Sequence, residues 1–225
     1  MSIHSQHMFL VTGRCKAPKP LAHSLHRSAA RQTRLLCSLL ILSTLLALLA
    51  STSSVHAAPI TVPLAVTVEI LAVEDAGAIE NAPAFNGGGA PYFVLNSRND
   101  PTLGDIFDHN FVQFDLSAIP ADAVIDSAVF RLHVNASANP LDIEAGRVDG
   151  AWEEATLTWN TQPVVTWGGA AATRNAPAVG DVDWPAKPLL EAWLTGTLPN
   201  YGIALRGLTG SAGGGVRADT REGAI

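Results

Sequence analysis

Ile125-Asp126-Ser127-Ala128-Val129-Phe130-Arg131-Leu132-His133-Val134 reads as a β-strand. Ala128, Phe130, Leu132 and Val134 share one face, with Arg131 and His133 on the other. That period of two marks a strand with one buried face. The same period extends outward in both directions. Upstream, Val62, Leu64, Val66, Val68, Ile70 and Ala72 alternate with smaller or polar residues, and Pro63 places their start at an edge. Residues 92–96 form a short strand bounded by the polar stretch 97–101, and residues 110–116 alternate before a turn at 119–122. Downstream, residues 141–148 lead into the Trp152 stretch, and strands are expected at 179–184, 201–206 and 215–220. The segments 86–91 and 167–177, rich in Gly, Ala and Pro, read as loops. Within 185–195 the period changes: Leu189, Leu190, Trp193 and Leu194 mark one face of a short helix closed by Gly196. About eight short strands, one helix and no βα alternation predict a single antiparallel β-sandwich.

The first 57 residues read differently. Residues 1–34 carry Arg14, Lys16, Lys19, Arg27, Arg31 and Arg34 and no acid, and an apolar run follows at 35–50. Val55-His56-Ala57 then offers small residues at the positions a signal peptidase requires, so cleavage is expected after Ala57. The apolar run falls short of the ~20 residues that span a bilayer. The expected domain is therefore 58–225, secreted, behind a cleaved signal helix. Residues 58–225 hold 8 Lys/Arg against 20 Asp/Glu, a formal charge of −12, which repels phosphate backbones and anionic lipids. Nucleic acid and, after cleavage, membrane are thus excluded as partners. Cys15 and Cys37 both lie in the leader, so the mature domain has no thiol chemistry and relies on its core for stability.

The richest stretch chemically is Trp152-Glu153-Glu154-Ala155-Thr156-Leu157-Thr158-Trp159-Asn160-Thr161-Gln162-Pro163. Trp152 and Trp159 could serve as sugar-stacking platforms, since aromatic faces pack on the C–H face of a pyranose; the favoured expectation is that they plug the core, with Thr158 and Asn160 pinning a turn through side-chain-to-backbone bonds. Glycoside hydrolysis needs two carboxyls ~5–10 Å apart across a cleft. Read as strand neighbours, Glu153 and Glu154 point to opposite faces and cannot flank one bond. No serine sits in a Gly-x-Ser-x-Gly context. The aromatics expected to meet a ligand are Trp167 and Tyr92, beside glycine-rich loops, and Tyr201, after a Pro-Asn turn. Asp100, Asp105 and Asp108 form the densest oxygen-donor cluster, and Glu74 and Asp75 end the first strand; the cluster reads first as a solvated acidic loop, and these five residues are the candidate ligands should a structural calcium be bound. His109 and His133 show no metal-ligand spacing.

Five blocks carry a resemblance. They are Phe111-Val112-Gln113-Phe114-Asp115-Leu116-Ser117-Ala118-Ile119-Pro120, Ile125 to Leu132, Trp152-Glu153-Glu154 with Thr158-Trp159-Asn160, Leu190-Glu191-Ala192-Trp193-Leu194-Thr195-Gly196, and Asn200-Tyr201-Gly202-Ile203-Ala204-Leu205-Arg206. In order and spacing they resemble the DNRLRE domain, also classed as carbohydrate-binding module family 96. The resemblance implies a jelly-roll β-sandwich and a secreted, non-catalytic module that binds polysaccharide. Where that family continues into a further strand, this sequence has only Gly223-Ala224-Ile225 after Thr220-Arg221-Glu222. One sheet position is therefore expected to be empty, leaving an edge open to other domains or chains. Two other readings stay open: a structural or adhesive cell-surface spacer without a glycan site, and a jelly-roll polysaccharide lyase or hydrolase.

Overall fold

The computed structural model describes residues 8–15, 65–100, 104–120, 122–139, 141–168, 174–175, 179–208 and 214–223. The opening strand is the longest, β5 (Ala123–Asn139). Before it come β1 (Met8–Cys15), β2 (Val66–Ile79), β3 (Tyr92–Asp100) and β4 (Gly104–Phe114). After it come β6 (Asp142–Val148), β7 (Val165–Thr166), β8 (Arg174–Asn175) and β9 (Gly180–Pro185). Helix α1 (Lys187–Leu194), β10 (Ile203–Gly207) and β11 (Gly214–Asp219) complete the described elements. This is the expected antiparallel β-sandwich with one short helix. The stretch read as a signal helix, 35–50, lies outside the described residues.

Two long strands belong to both sheets. Residues 66–71 of β2 pair with β1, whereas residues 72–79 pair with β4. Residues 104–107 of β4 pair with β3, and 109–112 pair with β10. The first sheet contains β1, β5, β9, β11 and β3; the second runs from β2 through β4 and β10 to β6, with β7 and β8 on β6. All of these pairings are antiparallel. Between the sheets lies a core that includes Phe93, Phe114, Phe130, Leu132, Trp184 and Leu190, each no more than 1% exposed. Helix α1 adds Leu189, Leu190 and Trp193 to it and ends where the Thr195 hydroxyl donates to the Glu191 carbonyl (2.8 Å), with Gly196 at φ +70°.

Strands β6 and β10 do not alternate in burial. They read eBBBBiB and BBBiB, because the second sheet is covered on both faces. Inward lie Ile143, Ala145, Ile203 and Leu205; outward, Ala76, Ala78, Phe111, Val148 and Ala204 meet a second apolar cluster built on Trp152 and Leu157.

Three elements depart from expectation. First, the polar stretch 97–101 does not close β3, whose ladder with β4 continues to Asp100↔Gly104. Second, β2 slips register between Ala72 and Glu74. A one-residue slip reverses which side chains face the core. The inward position that simple alternation assigns to Glu74 therefore goes to Asp75, paired with Val112 and 1% exposed.

Third, Met8–Cys15 falls within the stretch read as a leader, yet forms β1, between β2 and β5 and in one compact unit with them. Phe9 (0% exposed) and Val11 (3%) enter the core, while Thr12 and Arg14 stay outside on Thr67 and Asp126. Its Phe-x-Val alternation is only a few residues long and sits beside the leader's first basic residues, so it carries no distinct signal in the sequence.

Candidate functional site

The stretch 149–164 is a loop lying on the outward face of the second sheet, followed by β7 and Trp167. Trp152 anchors it. Its ring centroid is 5.7 Å from that of Phe111, its indole N–H donates to the Tyr201 carbonyl (2.8 Å), and it is 9% exposed. Burial of Trp152 agrees with expectation, but it plugs this outer cluster rather than the inter-sheet core. The expected pins, Thr158 and Asn160, are mostly replaced by two others. The Thr161 hydroxyl accepts from the Thr158 N–H (2.9 Å) and donates to the Thr156 carbonyl (3.0 Å). The Asn86 amide donates to both the Glu154 and Leu157 carbonyls at 2.7 Å, fastening the loop to the glycine-rich segment 86–91.

This loop delivers side chains onto a row set across three strands. Arg206 on β10 has Glu144 of β6 as its partner on one side and His109 of β4 on the other. All three point outward, since Val112 and Leu205 mark the inward phase. His109 lies between two tryptophans, with ring centroids 4.8 Å from Trp159 and 4.9 Å from Trp167, tilted by 39° and 52°. The Arg206 guanidinium stacks 4.2 Å from the Trp167 ring and donates to Glu144 Oε2 from Nε (2.8 Å). A guanidinium over an indole face combines cation–π attraction with planar stacking. Gly146 lies beneath Trp167, and a Cβ there would come within 2.7 Å of the indole Cε3. Only a glycine lets the ring lie this close to the sheet.

His109 Nδ1 is 2.8 Å from Gln162 Oε1, so the ring donates from Nδ1 and leaves Nε2 as an acceptor. Burial, reinforced by the Arg206 charge, pushes its pKa below the usual histidine value against the pull of the Gln162 bond. The imidazole is therefore neutral at pH 7. The surface thus offers two half-buried indoles, a neutral imidazole and polar groups held by mutual hydrogen bonds. Aromatic faces with a few fixed polar groups are the usual make-up of a site for an uncharged, hydroxyl-rimmed ligand.

A second concavity, of about 540 Å³, is lined by Glu74, Asn86, Glu153, Glu154, Arg221 and Glu222, among others. Its cation is Arg221. The guanidinium donates to both Glu154 oxygens (2.9 and 2.7 Å), to the Val73 carbonyl (2.6 Å) and to Glu222 (3.1 Å). Beneath it, the Asp75 carboxyl accepts from the Arg221 backbone N–H (2.7 Å). Burial pushes the Asp75 pKa up to about 7, with Glu222 and Glu154 adding to the rise and the Arg221 N–H opposing it. Glu153 and Glu154 belong to a turn rather than a strand; Glu153 is exposed and Glu154 is held by Arg221. They still do not form a facing pair.

The other expected site residues disperse. Trp167 joins the aromatic row. Tyr201 is half-buried against the outer cluster, its carbonyl taken by Trp152. Tyr92 opens β3 in the first sheet, 36% exposed with Arg217 stacked 4.5 Å from its ring. The five candidate calcium ligands do not converge. Glu74 pairs with Gln113 on β4, whereas Asp100 and Asp105 lie at the far end of the β3–β4 hairpin, paired with Gly104 and Asn99. From Gly104 to Gln113 is about 30 Å of strand. Asp108 is 7% exposed and accepts from the Asn96 amide (3.1 Å). Among the described residues no group of three or more His, Cys, Asp or Glu is placed to hold a metal ion. Sequence reasoning missed His109, Gln162, Arg206 and Glu144. The period of β4 places His109 on the same face as Phe111, but nothing in the sequence indicates that Trp159 arrives beside it.

The fold and this surface define a β-sandwich module with an aromatic face. Residues 67–224 match the profile of carbohydrate-binding module family 96, and the chain belongs to that family. No curated protein matches the sequence. Family membership makes carbohydrate binding the coarse function. The matched stretch begins on β2, leaving β1 outside it.

Proposed function

We propose that this module binds polysaccharide outside the cell, without cleaving it, on the face formed by Trp159, His109, Trp167, Arg206, Glu144 and Gln162. The supporting observation is the aromatic row itself: two indole rings, each centred within 5 Å of the His109 ring, on the outer face of a sheet, in a chain of a carbohydrate-binding family. Pyranose C–H faces pack on the indoles, while Arg206, Glu144 and the acceptor nitrogen of His109 address hydroxyls at the rim. The acidic cleft is not the catalytic centre of this reading, because Arg221 neutralises Glu154 and Asp75 lies beneath it. Arg221 also supplies positive charge beside Glu74 and Asp75, two of the five candidate calcium ligands, and binding should be the same in calcium and in EGTA. Export through the leader 1–57 is part of the proposal and predicts a secreted chain starting at Ala58.

The test is affinity gel electrophoresis of the protein through a panel of neutral and acidic polysaccharides. At least one should retard it, and Trp159→Ala and Trp167→Ala should each weaken that retardation about tenfold or more, as for a buried aromatic anchor. Tyr92→Ala, on the other sheet, should not. A panel without retardation supports the spacer reading instead, and release of reducing ends would support an enzyme.

A further inference from the structure

The position of β1 has a bearing on partners that family membership does not supply. The family match begins on β2, and the remaining described strands fall within it, so one strand of the sandwich comes from outside the matched module. That strand is paired on both sides, Met8 to Gly13 against β2 and Met8 to Cys15 against β5. Phe9 fills a space walled by Phe114 (ring centroids 4.6 Å apart), Trp193 (5.9 Å) and Phe130 (6.0 Å). Arg14 makes a two-pronged ion pair with Asp126 (3.0 and 2.8 Å), which fixes the register. At Gly13 the pairing with β5 shifts, and a Cβ there would lie 2.7 Å from the Val124 carbonyl oxygen. Recognition is therefore local to eight residues, joined to β2 only through residues 16–65. Two strand edges flanking an apolar hole form the geometry that accepts an added strand.

We propose that the slot between β2 and β5 is a strand-acceptor site, filled here by Met8–Cys15 and able to take the same strand from a separate polypeptide. The occupant it fits is extended, antiparallel to both neighbours, and carries a phenylalanine two residues before a β-branched residue, then glycine and arginine. Belonging to the same chain contributes proximity, which acts as an effective concentration. The slot supplies the specificity. Leader cleavage after Ala57 would cut the covalent link between Met8–Cys15 and the body, so that the slot can exchange this strand for one of the same pattern from another chain.

The test uses the full chain carrying one engineered protease site between residues 17 and 63. After cleavage, the N-terminal fragment should co-elute with the body on gel filtration. A fluorescent synthetic peptide of residues 8–15, added in excess, should then replace it and comigrate with the body. The same peptide with Phe9→Asp should be taken up at least tenfold more weakly. Separation of the fragment from the body on cleavage, whether the body stays folded or aggregates, overturns the proposal. So does equal uptake of the Phe9→Asp peptide. Neither readout involves glycan binding, so the two proposals fail independently.

Discussion

Asp75 is in an environment its neighbours in sequence do not announce. An unfolded aspartate loses its proton near pH 4, whereas the folded one holds it to about 7 because it is buried under Arg221 and beside Glu222. Between those values the folded state binds more protons, so stability falls as pH rises from about 4 to about 7. His109 runs the other way: its pKa is lowered, so its contribution is present above about 6.5 and is lost as pH falls. Asp75→Asn isolates the first effect. The amide keeps an acceptor for the Arg221 N–H and offers a donor to Glu222. The difference in melting temperature between variant and wild type should grow in the variant's favour from pH 5 to pH 8; a constant difference would refute the assignment. Gly202 shows a different constraint. It sits at φ +86° with the Val112 carbonyl oxygen 2.1 Å from where a Cβ would be. Gly202→Ala should cost more than about 2 kcal/mol in urea unfolding, from backbone strain and the clash together. Pro199-Asn200 was legible as a turn, but Gly202 was read as part of the strand after it, and the carbonyl above it belongs to a strand ninety residues earlier.

At the scale of elements, strands were easier to read than the loop that forms the site. Strand β5 was legible because its period is clean, and α1 because three of its apolar residues share a face and its end is marked by Gly196. The double burial of β6 and β10 was not, since it depends on a loop folding back over them. That loop is fastened to the glycine-rich segment 86–91 by one side chain, Asn86, through two carbonyls. Asn86→Ala leaves both acceptors unmatched at about 1–3 kcal/mol each where they are buried. It should speed amide exchange across 152–163 and weaken polysaccharide retardation, while exchange in β5 stays slow. Unchanged exchange in the loop would show that Trp152 alone anchors it.

For the whole molecule, the question is whether the sandwich needs β1. In the full chain Phe9→Ala removes a ring with no exposure from the centre of the core, which costs about 3–5 kcal/mol. In a domain of this size that lowers the melting temperature by ~2–4 °C per kcal/mol. A shift below 2 °C would show that Met8–Cys15 does not occupy the slot in solution. Local periodicity and composition determined the class: alternation with one apolar face makes strands, and strands without helical crossovers make an antiparallel sandwich. The five spaced blocks determined the family. Tertiary structure alone decided three things. The register slip at Val73 turned Asp75 inward, because a shift of one residue exchanges the two faces of a strand. The folding of residues 149–168 brought Trp159 and Trp167 to His109 across more than forty residues of chain. The gap between β2 and β5 chose Met8–Cys15 as its occupant. Each is a long-range pairing, whereas periodicity reports only which residues want burial, not what they will be buried against.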